Sequence, residues 1–109
     1  MGQRVAQFLD ATDGTTTISG LSVPIFIGSG MGYTGLPLTV KIFDVSGLTC
    51  TIEGCLTTDE TSTPPASDSA EWVTMGEAIT TEKFEYIPSS VTFVRINASA
   101  GSCKARIKY

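Results

Sequence analysis

Histidine is absent from this chain of 109 residues. Without it, the chain lacks Ser-His-Asp and Cys-His catalysis, imidazole ligands for metals and a histidine pH switch. Apolar runs are also short, well below the roughly 18 residues of a membrane-spanning helix, and residues 1–6 carry no apolar signal core. We therefore expect a protein that is made in a cytoplasm and is not an enzyme, with no cofactor, no metal and no membrane contact.

Basic residues and cysteines are few. Seven lysines and arginines stand against 11 acidic residues, which gives a net charge of −4 and a pI near 4.5. This balance argues against electrostatic binding of nucleic acid or of an anionic membrane surface.

The three cysteines, Cys50, Cys55 and Cys103, are odd in number and form no Cys-x-x-Cys pair. We therefore expect buried free thiols rather than a disulfide framework or a zinc site.

Hydroxyl residues and glycine are abundant. The chain has 16 threonines, 11 serines and 11 glycines, which favour strands and turns over helices. We predict one all-β domain, a jelly roll or β-sandwich of about seven or eight antiparallel strands. Residues 1–20 are expected to form an N-terminal arm with the first strand, which contacts a neighbouring subunit, and residues 21–109 to form the body. The predicted strands cover residues 4–9, 22–27, 38–45, 48–56, 72–75, 83–87, 91–98 and 103–109.

The last predicted strand has two different faces. Lys104, Arg106 and Lys108 alternate with apolar residues, so one face belongs to the core and the other is basic. Acids are concentrated elsewhere, since residues 53–85 contain eight acids and one base. No aromatic residue interleaves with the three cations along this strand, so a solvated face or an acidic protein neighbour is favoured over nucleic acid.

Two further surfaces are candidates for contact with a partner. Pro24 cannot donate to a β-ladder, so the strand at residues 22–27 either lies at a sheet edge or starts at the proline. The glycine-rich residues 28–35 resemble a phosphate-binding loop, but they lead into a strand rather than a helix, which favours a flexible or interface loop. The candidate interface residues of these two surfaces are Ile25, Phe26, Ile27, Met31, Tyr33 and Leu36.

Two other patterns have a structural interpretation beside a functional one. Asp10, Asp13 and Gly14 resemble the opening of a calcium loop, yet the glycine comes one position early and the distal glutamate is missing. An Asp-Gly turn is therefore preferred. Trp72 is either a packing residue or a sugar-stacking platform, and packing is the commoner role of a single tryptophan in a small β domain.

The second half of the chain resembles a known group of virion proteins. The segments that carry the resemblance are Thr-Ile-Glu-Gly at residues 51–54, Trp-Val-Thr-Met-Gly at 72–76, Phe84, and Phe-Val-Arg-Ile-Asn-Ala-Ser-Ala-Gly at 93–101. Over residues 40–109 this strand rhythm, with its Trp and Arg landmarks, is similar to small jelly-roll decoration, cement or stapling proteins of short-tailed bacteriophages. The epsilon15-like phages are the nearest comparison.

The resemblance implies a function without catalysis. It implies dimers or trimers that sit over capsomer junctions on the outside of the phage head, with the major capsid protein as partner and the virion as location. A carbohydrate-binding module, or a tail or adhesin component, is the alternative, and it predicts that Trp72 or Tyr33 is exposed beside carboxylates. The choice between dimer and trimer, and between head and tail, stays open.

Overall fold

A single antiparallel sheet of six strands organises the part of the chain that the computed structural model describes, which is residues 4–27, 38–56, 63–87 and 91–109. No helix occurs in these residues. Each strand lies close to a predicted one, so the all-β antiparallel fold in one domain is confirmed. In chain order, the strands are β1 (Val5–Gln7), β2 (Ile25–Phe26), β3 (Leu38–Cys55), β4 (Val73–Ile79), β5 (Lys83–Ile87) and β6 (Phe93–Lys108).

The two long strands, β3 and β6, pair with each other along nearly their whole length and form the centre of the sheet. The short strands complete the two outer edges of this pair. On the free side of β6 lie β1 and β2, and on the free side of β3 lie β4 and β5. The central position of β6 agrees with the burial of both its faces at one end, where Phe93 and Val94 point to opposite faces and are both buried.

The β3–β6 pair is strongly bent. An extended strand of 18 residues would measure about 60 Å, whereas the longest dimension of the molecule is 38 Å. The pairing register shifts between Phe43 and Ser46, between Ser46 and Thr49, and between Thr49 and Cys50. Such β-bulges insert unpaired residues and bend a strand. They divide the pair into a Lys41 half, in which residues 38–43 face 104–108, and an Arg95 half, in which residues 50–55 face 93–98.

The bulges explain why six strands are found where about seven or eight are predicted. The side chains of β6 that belong to the main core are even-numbered up to Ala98 and odd-numbered from Cys103 onward. The register shift between Thr49 and Cys50 produces this change, because it leaves one residue of β6 unpaired between Ala98 and Ala100, and one unpaired residue turns every later side chain to the opposite face. The sequence pattern therefore breaks at this point while the strand continues. The predicted strands at 91–98 and 103–109 are one strand, and those at 38–45 and 48–56 are another.

The inner faces of both halves share one hydrophobic core. Cys50 of the Arg95 half and Cys103, which directly precedes the Lys41 half of β6, are both fully buried in it. The neighbouring Cys103 thiol and burial raise the pKa of the Cys50 thiol far above its usual range. All three cysteines are buried and free, as predicted. Phe8 and Ile18 from the N-terminal segment also lie fully buried in this core.

Gly101 provides a direct test of the bend. Its φ angle is +67°, and a β-carbon there would overlap the carbonyl oxygens of Ser46 and Gly47. We expect Gly101→Ala to lower the free energy of unfolding by at least about 2 kcal/mol in urea denaturation.

Substitutions of two other glycines separate the loss of stability that steric overlap causes from the loss that backbone strain causes. Gly47 also has positive φ (+58°) but open space around it, so Gly47→Ala is expected to cost about 1 kcal/mol for backbone strain alone. Gly20 has open space and no positive φ, so Gly20→Ala is expected to stay within about 0.5 kcal/mol of the wild type. Equal losses for Gly101→Ala and Gly47→Ala would contradict close packing at the bend.

Candidate functional site

The basic residues of the last strand lie on the outer face of the Lys41 half, where three strands meet. Directly paired residues of antiparallel strands share a face, and Arg106 of β6 pairs with Lys41 of β3, which pairs with Phe84 of β5. Lys104 pairs in the same way with Phe43. The surface formed in this way, called the basic–aromatic face below, consists of Lys41, Phe43, Phe84, Tyr86, Lys104, Arg106 and Lys108.

Aromatic rings on this face are available for contact with a partner. Phe84 is 55% exposed and Tyr86 is 62% exposed, which is unusual for rings of this size in a domain with a good core. The Phe43 ring is half-buried and lies under two cations. The Arg106 guanidinium carbon is 4.9 Å from the ring centroid and the Lys41 ammonium nitrogen 5.3 Å. The same ammonium lies 5.7 Å from the Phe84 centroid.

The charge on this face is only partly balanced by the chain itself. Lys104 Nζ lies 3.1 Å from Asp44 Oδ2 at the bent end of the strands, and Glu82 stands beside them, with its Oε2 accepting a hydrogen bond from the Asp44 backbone N–H. For the other three cations, the described residues place no carboxylate within ion-pair distance. Four of the seven basic residues of an acidic chain therefore share one surface.

The predicted strand at residues 103–109, with one core face and one basic face, is confirmed. The aromatic residues that neighbouring strands place around its basic face were not predicted. Ala105 and Ile107 are fully buried, while Arg106 and Lys108 are exposed and Lys104 is half-buried. The premise that no aromatic residues interleave with these cations is wrong for the face as a whole, because neighbouring strands supply the rings. Each strand separately indicated part of this face. Lys41 and Phe43 are two residues apart and therefore lie on the same face of β3, and Phe84 and Tyr86 share a face of β5 in the same way. Only the long-range register brings them together.

The other predicted contact surface lies elsewhere on the sheet. Ile25 and Phe26 form β2, which pairs with residues 93–94 at the far end of β6 from the three basic residues. Ile25 and Ile27 pack against the core, whereas Phe26 is 38% exposed and its ring also contacts Phe93, with centroids 5.3 Å apart. The predicted edge position of this strand is thus confirmed for the described residues. The candidates Met31, Tyr33 and Leu36 lie outside the described residues.

Trp72 is a packing residue on the outer face of the Arg95 half. Its ring lies 4.2 Å from the guanidinium carbon of Arg95, and its Nε1 donates a hydrogen bond to the Ala66 carbonyl. Arg95 is itself buried, with Nε donating to Glu53 Oε1 at 2.7 Å and Nη1 to the Ser67 carbonyl at 2.9 Å. These contacts fasten residues 66–72 over the sheet. Trp72 therefore offers no exposed platform for a sugar, and Tyr33, the other residue named for the carbohydrate-binding alternative, lies outside the described residues.

The Asp10 carboxylate holds a turn. Its Oδ1 accepts a hydrogen bond from the Thr12 N–H at 2.8 Å, and its Oδ2 accepts one from the Ser19 N–H at 2.9 Å. The Gly14 N–H donates to the Asp10 carbonyl, and Gly14 has a φ angle of +73°. The preferred Asp-Gly turn is confirmed. The backbone donors, Ser19 first and then Thr12, lower the pKa of Asp10 below its ordinary value of 3.8.

Comparison of the chain with models of protein families, with curated proteins and with solved structures found no match. Among the described residues, none belongs to a helix of the length and apolarity that a membrane crossing requires.

Asp10 allows a test by pH. Because its folded-state pKa is lowered, the ionised carboxylate stabilises the fold above the unfolded pKa near 3.8, and this contribution is lost as the pH falls through the folded pKa. We expect Asp10→Asn to cost at least about 1 kcal/mol at pH 7 and progressively less between about pH 5 and pH 2. The exposed Asp68→Asn is the control, and a pH-independent cost for Asp10→Asn would refute the ionic origin.

Proposed function

We propose that this chain is a structural virion protein, a decoration or cement subunit that binds the outside of a phage head and stabilises capsomer junctions. The observation that supports this role is the basic–aromatic face, on which exposed rings stand beside Lys41, Arg106 and Lys108, cations without a carboxylate partner in the described residues. The surface of the partner that fits this face is acidic.

The chemistry of the face suits a protein partner. Aromatic residues and arginine are enriched in the buried centres of protein interfaces, because rings provide large contact areas and the guanidinium pairs with carboxylates. The three rows of the face come from neighbouring strands of one sheet, so its shape is held by backbone hydrogen bonds rather than by a loop. A rigid surface loses little conformational entropy when it binds.

The resemblance of residues 40–109 to decoration proteins supplies the identity of the partner in this proposal, the major capsid protein. A capsid presents many copies of one surface, so a contact that is weak for one subunit becomes strong for an oligomer that engages several copies at once. We propose a dimer or trimer, synthesised in the host cytoplasm. The sheet edge around Phe26 is a candidate for the contact between its subunits.

A carbohydrate-binding tail or adhesin module is the second candidate, because the exposed Phe84 and Tyr86 rings provide faces on which a sugar ring stacks. Phe84, however, pairs with the cation Lys41 across the sheet, and Trp72 is buried. A glycan panel separates the two functions. Saturable binding of one glycan that is lost in a Phe84→Ala, Tyr86→Ala variant would favour the module, and no binding would favour the decoration protein.

The decisive experiment is a count of this protein in sedimented particles by quantitative mass spectrometry, for the wild type and for a variant with Lys104, Arg106 and Lys108 changed to glutamate. The wild type is expected at a simple fraction of the copy number of the shell protein. Charge reversal is expected to reduce occupancy about tenfold or more, because it replaces attraction to an acidic surface by repulsion.

Two controls accompany this count. Lys83 lies on β5 but pairs with Glu85 at 3.0 Å, away from the basic–aromatic face, so Lys83→Glu is expected to keep full occupancy. Thermal melting of each variant verifies that it folds. Absence of the wild-type protein from particles would overturn the proposed function, and full occupancy of the folded triple variant would overturn the role of the face.

A further inference from the structure

We infer that Lys41 and Arg106 together form a carboxylate-binding site, the anchor at which the basic–aromatic face takes an acidic side chain of its partner. This inference rests on the proposed docking role and gives it a particular location. The observation that supports it is the placement of these two cations, which lie directly opposite each other and over the same aromatic ring. The other two cations of the face, Lys104 and Lys108, do not have this placement.

The sheet register places two positive charges directly opposite each other. Lys41 of β3 pairs with Arg106 of β6, so their β-carbons are about 5 Å apart on the same face. Like charges in directly opposed positions destabilise a sheet. Lys104, in contrast, stands opposite Phe43 and forms an ion pair with Asp44. Lys41 and Arg106 have no carboxylate within 4 Å among the described residues.

The Phe43 ring orients both cations without neutralising them. The Lys41 nitrogen and the Arg106 guanidinium carbon lie 5.3 and 4.9 Å from the centroid of this ring. The negative face of an aromatic ring attracts a cation, with about 0.5–1 kcal/mol at an exposed site. A ring has no net charge, however, so two uncompensated positive charges remain side by side. An anion that binds between them removes their repulsion and finds both already oriented.

The donor geometry selects a carboxylate as the ligand. A guanidinium presents a planar pair of N–H donors that matches the two oxygens of a carboxylate, and the lysine adds a point charge. The exposed Phe84 ring lies next to Lys41 and provides an apolar neighbour. The site therefore fits an aspartate or glutamate that is flanked by an apolar residue. A long polyanion is disfavoured, because the chain as a whole carries a charge of −4.

A peptide titration tests the site. The probe is a blocked hexapeptide of alternating glutamate and phenylalanine, and its dissociation constant is measured by NMR for the wild type and for four variants that each remove one positive charge. Lys41→Met and Arg106→Met are expected to weaken binding about tenfold, or about 1.4 kcal/mol. The matched controls Arg4→Met and Lys83→Met, both outside the basic–aromatic face, are expected to change it less than about threefold.

Three outcomes would overturn the site: no binding of the peptide by the wild type, an equal loss in all four variants, or tighter binding of an oligothymidylate of the same charge, which would indicate a nucleic-acid surface. The particle count described above separates this inference from the proposed function. If a folded Lys41→Met, Arg106→Met variant occupies particles fully, the site is wrong and the decoration role stands. If the peptide binds as expected but particles lack the protein, the role is wrong and the site stands.

Discussion

The structure depends on one constraint, the bend of the paired strands β3 and β6. Both strands are too long to lie straight in a molecule of this size, and a straight pair would leave its apolar face in water. The register shifts between Phe43 and Cys50 let the sheet turn back on itself. Its two inner faces then bury each other, and the contact of Cys50 with Cys103 marks where they meet. The bend of this strand pair therefore determines both which residues form the core and which residues form the outer faces.

The bend also leaves two outer faces, one on each half. They differ in how far residues of the same chain neutralise the charges and cover the apolar surface. On the Arg95 half, Glu53 neutralises the buried guanidinium and the ring of Trp72 covers it, so the charges and the apolar surface are matched internally. On the Lys41 half, Lys41 and Arg106 contact the Phe43 ring. Apart from Lys104, no cation of this face pairs with a carboxylate of the described residues. One face is thus closed by the chain itself, and the other keeps positive charges without a carboxylate partner among the described residues, beside exposed rings.

Local patterns in the sequence predicted the local features well. Alternation gave the two faces of residues 103–108, and the Asp-Gly spacing gave the turn at Asp10. Features that depend on long-range register were missed, because no short pattern shows that Phe84 and Lys41 become neighbours of Arg106. The continuity of β6 was missed for a related reason. A bulge inverts the alternation, and the inversion is read as the end of a strand.

The most direct measurement of the central claim, that the outer face of the Lys41 half is the docking surface, is the acetylation rate of each lysine in the free protein and in purified particles that contain it. Lys83 serves as an internal standard, since it lies on β5 and off the basic–aromatic face. The account predicts strong protection of Lys41, Lys104 and Lys108 on particles with little change at Lys83. Unchanged rates at the three lysines, with protection confined to Lys83, would contradict it.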